Sequence, residues 1–402
     1  MQFIKNLFGK TEKRATGVSN PSIARVLGIS SPVEAASKLS TASNCISLIS
    51  STYASYDAVL YKLNKDGSPS PAAGHALYEI LMNGTAGMSS FEIRLRLMRD
   101  LVTHGNCYAH VEFDADGKIK NLTPLACRNT VVEALGNGRL IYRHSDPLRN
   151  YNQTVYRQDD IFHGKWMPVE YMGRSPIELA ALSMGIAVGV EEATKADAER
   201  GFRAGGILSA PGAIGPETAS RLKAHLETDY MGADGAGKIV VAGDGLTLTR
   251  FSLSNKDAEL VENRKFNSFM VAQAYGVPGQ ICGLPFESSW NSASEANRQF
   301  VSLCMEPWSK TLNDQLAAFA LSSRERKAMY ISNNWQSLIS GSLTDRASAY
   351  SSMLTSGLIT ANEARAVFDL PRVDGGDELR VPLNAATVSG AVNGKPAAGA
   401  VA

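Results

Sequence analysis

Two long helical patterns joined by a proline- and aromatic-rich connection occupy residues 255–320, and they restrict this chain more than any other feature. The first pattern reads NKDAELVENRKFNSFMVAQAYGV, the connection PGQICGLPFESSWN and the second SASEANRQFVSLCMEPWSKTLNDQLAAFA. Phe266, Phe269, Met270, Ala274 and Val277 are expected on one stripe of the first helix. In the second, Ala296, Phe300, Cys304, Trp308, Leu312, Leu316 and Ala320 follow one another at four-residue steps, the spacing of a buried helix face. Pro307 interrupts that face. It removes one backbone donor and crowds the preceding turn, so a kink is expected there. Both stripes demand burial, and together they hold the connection in place.

Helix starts are legible elsewhere. Ser89-Ser-Phe-Glu92, Ser175-Pro-Ile-Glu178, Ser292-Ala-Ser-Glu295 and Thr360-Ala-Asn-Glu363 all fit the capping box, in which a hydroxyl accepts from a backbone N–H and the acid three residues on reaches back. Pro176 adds a proline at the first helical position, where a missing N–H costs nothing. Ala42, Cys45, Ile46, Ile49 and Tyr53 mark a helix leading into the strand AVLYKL and a turn at Asn64–Gly67. A second helix spans 90–104. Strands CYAHVEF, KIKNLTPL, TVVEAL and RLIYRH follow, with glycine turns between them, predicting a mostly antiparallel sheet with short hairpins. A long helix is expected from Pro176 to about Arg203, then a small β-α-β-β unit built from ILSA, a helix near 216–229, KIVVA and LTLTRFS. The strand MYISNNW and two helices, about 343–356 and 361–369, close an α+β chain. Residues 1–30 read as a poorly ordered arm and 383–402 as a small-residue tail with nothing to bury.

Charge argues against a protein that grips nucleic acid, so any such contact is expected to be loose or confined to a small patch. The 40 basic and 39 acidic residues leave a net charge of +1, whereas a phosphate-binding domain shows a clear basic excess. The longest charge-free apolar run, LAALSMGIAVGV at 179–190, falls short of the ~20 residues a membrane helix needs, so no membrane partner is expected. Five scattered cysteines, Cys45, Cys107, Cys127, Cys282 and Cys304, form no C-x-x-C pair, so they are expected to be free thiols and not a zinc or disulfide framework.

Catalytic motifs fail on inspection. Gly232-Ala-Asp-Gly-Ala-Gly237-Lys238 matches G-x-x-x-x-G-K, but Ile239 stands where a nucleotide-binding loop needs Ser or Thr. The segment also follows a helix and opens a strand, the reverse of such a loop, and reads as a flexible glycine-rich turn. Asp159, Asp160 and His163 fit a turn into the strand IFHGKW, and Glu191-Glu192 a solvated helix face. None of the six histidines sits in H-E-x-x-H and no serine in G-x-S-x-G. No catalytic residue, metal ligand or cofactor is expected.

An ordered series of segments resembles the portal proteins of long-tailed bacteriophages. It comprises HALYEILMNGTAGMSSFEIRLRLMRDLVTHGNCYAHVEF, DDIFHGKWM, GRSPIELAALSMGIAVGVEEATKADAERGFRAGGILSAPGAI, AELVENRKFNSFMVAQAYGVPGQICG, EANRQFVSLCMEPWSKTLNDQL and DRASAYSSMLTSGLITANEARAVFDLPRVDGGDELRVP. Coverage runs from about residue 40 to 382, in order and without large insertions.

The resemblance implies an α+β, portal-type subunit of a dodecameric ring around a channel for double-stranded DNA. By this likeness 1–30 is a flexible arm, 31–174 a mixed α/β wing, and 175–205 and 254–276 the two stem helices. Residues 206–253 would form the clip, 277–293 the tunnel loop, 294–340 a kinked long helix with a strand returning to the wing, and 341–382 a short helical crown. Implied partners are other copies of the chain, passing DNA, the large terminase, a head–tail adaptor, and the capsid and scaffold proteins. The residues expected to face the channel are Lys256, Arg264, Lys265, Glu287, Ser288, Ser289, Trp290 and Asn291. Two competing readings are a nucleotide-hydrolysing packaging enzyme resting on Gly232–Lys238, and a non-viral oligomeric scaffold or domesticated phage-like particle component.

Overall fold

The computed structural model describes residues 12–15, 38–85, 87–147, 150–199, 206–209, 215, 217, 220–221, 247–250, 254–284, 293–339, 343–368 and 370–379. The chain divides into two compact units, one of residues 1–291 with 296–335 and one of 292–295 with 336–402.

In the first unit, strand β1 (Glu12–Ala15) precedes helix α1 (Ser40–Ser55), whose predicted stripe of Ala42, Cys45, Ile46, Ile49 and Tyr53 is buried. Strands β2 (Ala58–Leu63) and β3 (Pro69–Pro71) form a hairpin. Helix α2 (Ala76–Asn83) and helix α3 (Ser90–His104) follow. Arg94 of α3 is almost fully buried, with its two terminal nitrogens paired and its Nε left without a partner. Its guanidinium donates to Leu81 O at 3.1 Å, Ala54 O at 2.9 Å and Asp57 Oδ1 at 3.0 Å, joining α1, α2 and α3. A buried cation is tolerated only with such partners.

Strands β4 (Asn106–Phe113), β5 (Ile119–Leu125), β6 (Thr130–Ala134), β7 (Leu140–Asp146), β8 (Asn152–Arg157) and β9 (Ile161–Lys165) come next. They do not build the single sheet expected from their spacing. Among the described residues they split into a β5-β4-β9 sheet and a β1-β6-β7-β8 sheet, every pairing antiparallel. The two share a core of Tyr108, Leu125, Val132, Leu140, Tyr142 and Ile161. Cys107, Tyr108 and Ala109 are all buried, so this end of β4 is covered on both faces and loses the alternation of a half-exposed strand. Part of the stretch read as an arm, β1, pairs with β6 from Glu12↔Ala134 to Ala15↔Val131.

The helix expected from Pro176 to Arg203 is interrupted. A short α4 (Pro176–Leu179) ends at Ala180, whose backbone (φ −102°, ψ 29°) leaves the helical region, and α5 (Ala181–Glu199) then begins. Strands β10 (Gly206–Ser209) and β11 (Thr247–Arg250) pair antiparallel. The strand KIVVA and Gly232–Lys238 lie outside the described residues, as does most of the predicted helix 216–229.

Helix α6 (Ser254–Ala274) buries Val271 and Ala272, with Tyr275 and Val277 just beyond its end, whereas Phe266 of the predicted stripe is 60% exposed. Helix α7 (Ala293–Phe300) continues through a π turn at Val301–Met305 into α8 (Glu306–Ala320). Pro307 therefore sits behind a widened turn: Glu306 N donates to Val301 O, five residues back. The same turn also reduces the drift of the stripe around the helix. In an α-helix each four-residue step overshoots a full turn by about 40°, and the less tightly wound π segment takes some of that drift back. Ala296, Phe300, Cys304, Trp308, Leu312 and Leu316 are all buried.

Strand β12 (Met329–Asn333) pairs with β2, completing a β12-β2-β3 sheet. The facing pair Leu60↔Ile331 points inward, and Tyr61 and Tyr330 stack on the other side at 5.7 Å, as strand alternation requires.

The second unit holds α9 (Gln336–Ile339), α10 (Leu343–Thr355) and α11 (Ala361–Val367). Tyr350 donates to Gln336 Oε1 at 3.0 Å and packs edge-on against Phe368. Thr360 and Glu363 make a complete capping box. Ser89 and Ser175 accept the backbone N–H of Glu92 and Glu178, the hydroxyl half of the same motif. The Ser292 site lies outside the described residues.

Candidate functional site

The connection after α6 begins as a folded turn. Val277 N donates to Ala272 O at 3.0 Å and Gly276 N to Gln273 O at 2.9 Å. With Gly276 at φ +73°, this is the paired hydrogen-bond pattern that closes a helix on a left-handed residue. Val277, the residue just past the glycine, is buried as that motif favours. The pattern repeats at once. Leu284 N reaches Gly279 O at 3.0 Å and Gly283 N reaches Gln280 O at 3.1 Å, so residues 277–284 form a compact turn.

This turn is tied to the sheets by the helix that follows it. Tyr275 O accepts from Trp308 Nε1 at 3.4 Å and from Cys304 Sγ at 3.6 Å. The Trp308 ring stacks on Trp166, just after β9. Two turns further along α8, Gln315 grips the Lys165 backbone from both sides, accepting its N–H at 2.7 Å and donating to its carbonyl at 2.8 Å. Gly164 lets the helix close on the strand, because an added Cβ would stand 2.6 Å from Cys107 Sγ and 3.3 Å from Leu312 Cδ1. A rigid path thus runs from β9 through α8 to the start of the connection.

Helices α5 and α6 pack against each other. Arg264 makes a bidentate ion pair with Glu191, from 2.9 to 3.2 Å, and Lys38 bonds Glu192 at 2.9 Å. Leu39, Ala187, Val190, Asn267 and Val271 line the cleft around the Arg264 pair. Arg264, expected as a basic side chain facing a channel, has its charge taken up by a carboxylate. Glu191 and Glu192, read as a solvated face, are ion-pair partners. Lys265 is exposed. The Lys256 side chain and residues Glu287, Ser288, Ser289, Trp290 and Asn291 lie outside the described residues.

Asp159 and His163, the candidate acid and imidazole of one segment, each have partners within the fold. Asp159 pairs with Arg139, and a 3₁₀ turn at Gln158–Asp160 leads into β9. His163 is held by Tyr142 OH at 3.1 Å and Asn106 Oδ1 at 3.0 Å, and its burial drives its pKa well below the usual 6.5. Among the described residues no cluster of three or more His, Cys, Asp or Glu could hold a metal ion, and no helix is long and apolar enough to cross a membrane.

One contact was invisible in the sequence. Cys45 Sγ of α1 lies 3.4 Å from Cys282 Sγ in the 277–284 turn, although 237 positions separate them. No C-x-x-C spacing announces such a pair, and only a contact between α1 and the turn creates it.

The family model described as phage portal protein matches residues 40–369. The portal protein of Enterobacteria phage HK97 is 26% identical over 345 residues, covering 85% of this chain and 80% of its own. The fold is similar to the neck of an empty gene transfer agent particle, computed with C6 symmetry. That likeness has a TM-score of 0.59 at 20% identity and covers 91% of this chain and 97% of the other. The neck of the native particle, computed with C12 symmetry, gives 0.57 at 18% identity over 92% of this chain and 99% of the other.

Proposed function

The chain belongs to the phage portal protein family, and from that membership we propose that it forms a twelve-subunit ring at one capsid vertex, a conduit for double-stranded DNA in packaging and ejection. The observation that carries this reading is the family match across residues 40–369. The twelvefold number draws support from the similar neck reconstructed with C12 symmetry.

In this reading the β-rich part within 31–174, with β12, is the wing. Residues 175–205 and 254–276 are the stem, 206–253 the clip, 277–293 the tunnel loop and 341–382 the crown. The clip would meet the large terminase during packaging and a head–tail adaptor afterwards, while the wing faces capsid and scaffold proteins. Ring closure needs a heterologous interface, one patch meeting a different patch on the next copy. Ile186 on α5, 53% exposed, and Phe266 on α6 are apolar side chains in position to supply it.

A conduit must hold phosphates weakly, since each neutralised phosphate adds salt-dependent grip. Near-zero net charge and the Arg264–Glu191 pair both suit sliding. The work of packaging would come from a separate ATPase.

Negative-stain microscopy of the purified protein should show rings with a central hole. Only monomers or dimers under all assembly conditions would overturn the ring. Replacing Trp290 or Asn291 by alanine should lower DNA packaging or retention with rings intact, and normal genome content in both variants would remove the tunnel-loop assignment.

A further inference from the structure

We propose that Cys45 and Cys282 are an oxidation site: a dithiol that peroxide, or a disulfide oxidant such as oxidised glutathione, converts to a disulfide stapling α1 to the 277–284 turn. The geometry is already assembled. The two sulfurs are 3.4 Å apart, and Asn44 Nδ2 reaches Cys282 O at 3.4 Å, holding the turn against the same helix. The turn is closed by its own backbone bonds, so Cys282 is presented on a fixed scaffold. Bond formation needs the two sulfurs to close from 3.4 Å to about 2.05 Å.

The two thiols are not equivalent. Cys282 is half-buried and reachable, whereas Cys45 is fully buried. The hydrogen bond from Cys45 lowers the Cys282 pKa, and that same bond followed by burial raises Cys45. Cys282 is thus the thiolate that meets an oxidant and Cys45 the thiol that resolves it.

With hydrogen peroxide, the Cys282 thiolate attacks one oxygen, the O–O bond breaks, hydroxide leaves and a sulfenic acid forms. Cys45 sulfur then attacks the Cys282 sulfur, the S–O bond breaks, and water leaves with the proton of Cys45. Two thiols and one peroxide give one disulfide and two waters. Oxidised glutathione reaches the same product by two exchanges, releasing two reduced glutathiones.

Cys304 is the nearby competitor, but it is buried and directed at Tyr275 O. Cys107 and Cys127 serve as internal controls: both are buried, and Cys127 is bound to Asn106 O at 2.9 Å. The timing of the bond rests on the portal reading, since a particle leaving a reducing cytoplasm enters an oxidising medium.

The test uses the full-length chain with peroxide and, separately, with oxidised glutathione, followed by unfolding, alkylation with iodoacetamide and peptide mapping without reduction. Before alkylation the oxidised chain should be about 2 Da lighter, the two hydrogens given up on disulfide formation. A Cys45–Cys282 linked peptide should appear, lost on dithiothreitol treatment, with Cys107, Cys127 and Cys304 alkylated. In Cys282→Ser the linked peptide should vanish and Cys45 become alkylated. Full alkylation of Cys45 and Cys282 in oxidised wild-type protein would overturn the proposal, as would a Cys282–Cys304 or Cys282–Cys282 link. Rings lacking the bond would refute this inference alone. The bond in a chain that never forms rings would refute the portal reading alone.

Discussion

Trp166 and Trp308 stack with ring centroids 3.7 Å apart and planes 20° from parallel, placing the residue after β9 against the helix that carries the connection. Trp308 also donates to Tyr275 O, so one side chain links sheet, helix and turn. Trp308→Ala should cost about 3–5 kcal/mol, the range for deleting a buried aromatic. Trp308→Phe keeps most of the packing and loses the indole hydrogen bond, about 1 kcal/mol of the total. Urea unfolding followed by circular dichroism separates the two, and equal losses would show that the stack contributes little.

The exposed ring of Phe266 gives a prediction of the opposite kind. Phe266→Asp should leave the folded subunit within about 0.5 kcal/mol of wild type, as for surface changes in general. It should abolish rings if α6 meets a neighbouring subunit there. Light scattering on the folded variant reads this directly, and intact rings would move the interface elsewhere.

Glu191→Gln removes the carboxylate that occupies Arg264. Both side chains are more than a third exposed, so the pair contributes under ~1 kcal/mol and stability should barely change. The freed guanidinium should instead raise affinity for DNA and make it steeply salt-dependent. Filter binding of duplex DNA to assembled rings across a salt series checks it. An unchanged slope would place Arg264 away from the DNA path.

Acid sensitivity follows from His163. Asn106 Oδ1 accepts the Gly173 N–H at 2.7 Å and so can only accept from His163 Nε2, leaving Nδ1 to accept from the Tyr142 hydroxyl. The imidazole is therefore held neutral. Its folded pKa lies well below 6.5, through burial first and the Lys165 charge second. The unfolded chain consequently binds more protons between the two values, and stability falls as pH drops below about 6.5. His144, also lowered by burial, adds in the same direction. Urea midpoints at pH 7.5 and pH 5 should differ, and His163→Gln should reduce the difference. An identical shift in that variant would assign the effect to other groups.

Much of the local structure was readable because its causes lie within a few residues. The caps at Ser89, Ser175 and Thr360 fall where the hydroxyl-to-acid spacing put them. The predicted stripe is buried from Ala296 to Leu316, while its last member, Ala320, is only half-buried. Strand β8 was missed because Asn152–Thr154 are polar and exposed and offer no alternation; pairing with β7 alone makes it a strand. The break at Ala180 lies inside an apolar run with no glycine or proline at that position.

Period and capping chemistry settled most of the described helices and strands, since each is written in neighbouring side chains, and the ordered series of segments carried the portal resemblance. Tertiary structure alone decided how the strands divide among sheets, how a π turn absorbs Pro307, that Arg264 is spent on Glu191 and that Cys45 meets Cys282. These are contacts between distant positions. Their partners are chosen by packing complementarity across the whole core, and no local spacing carries that information.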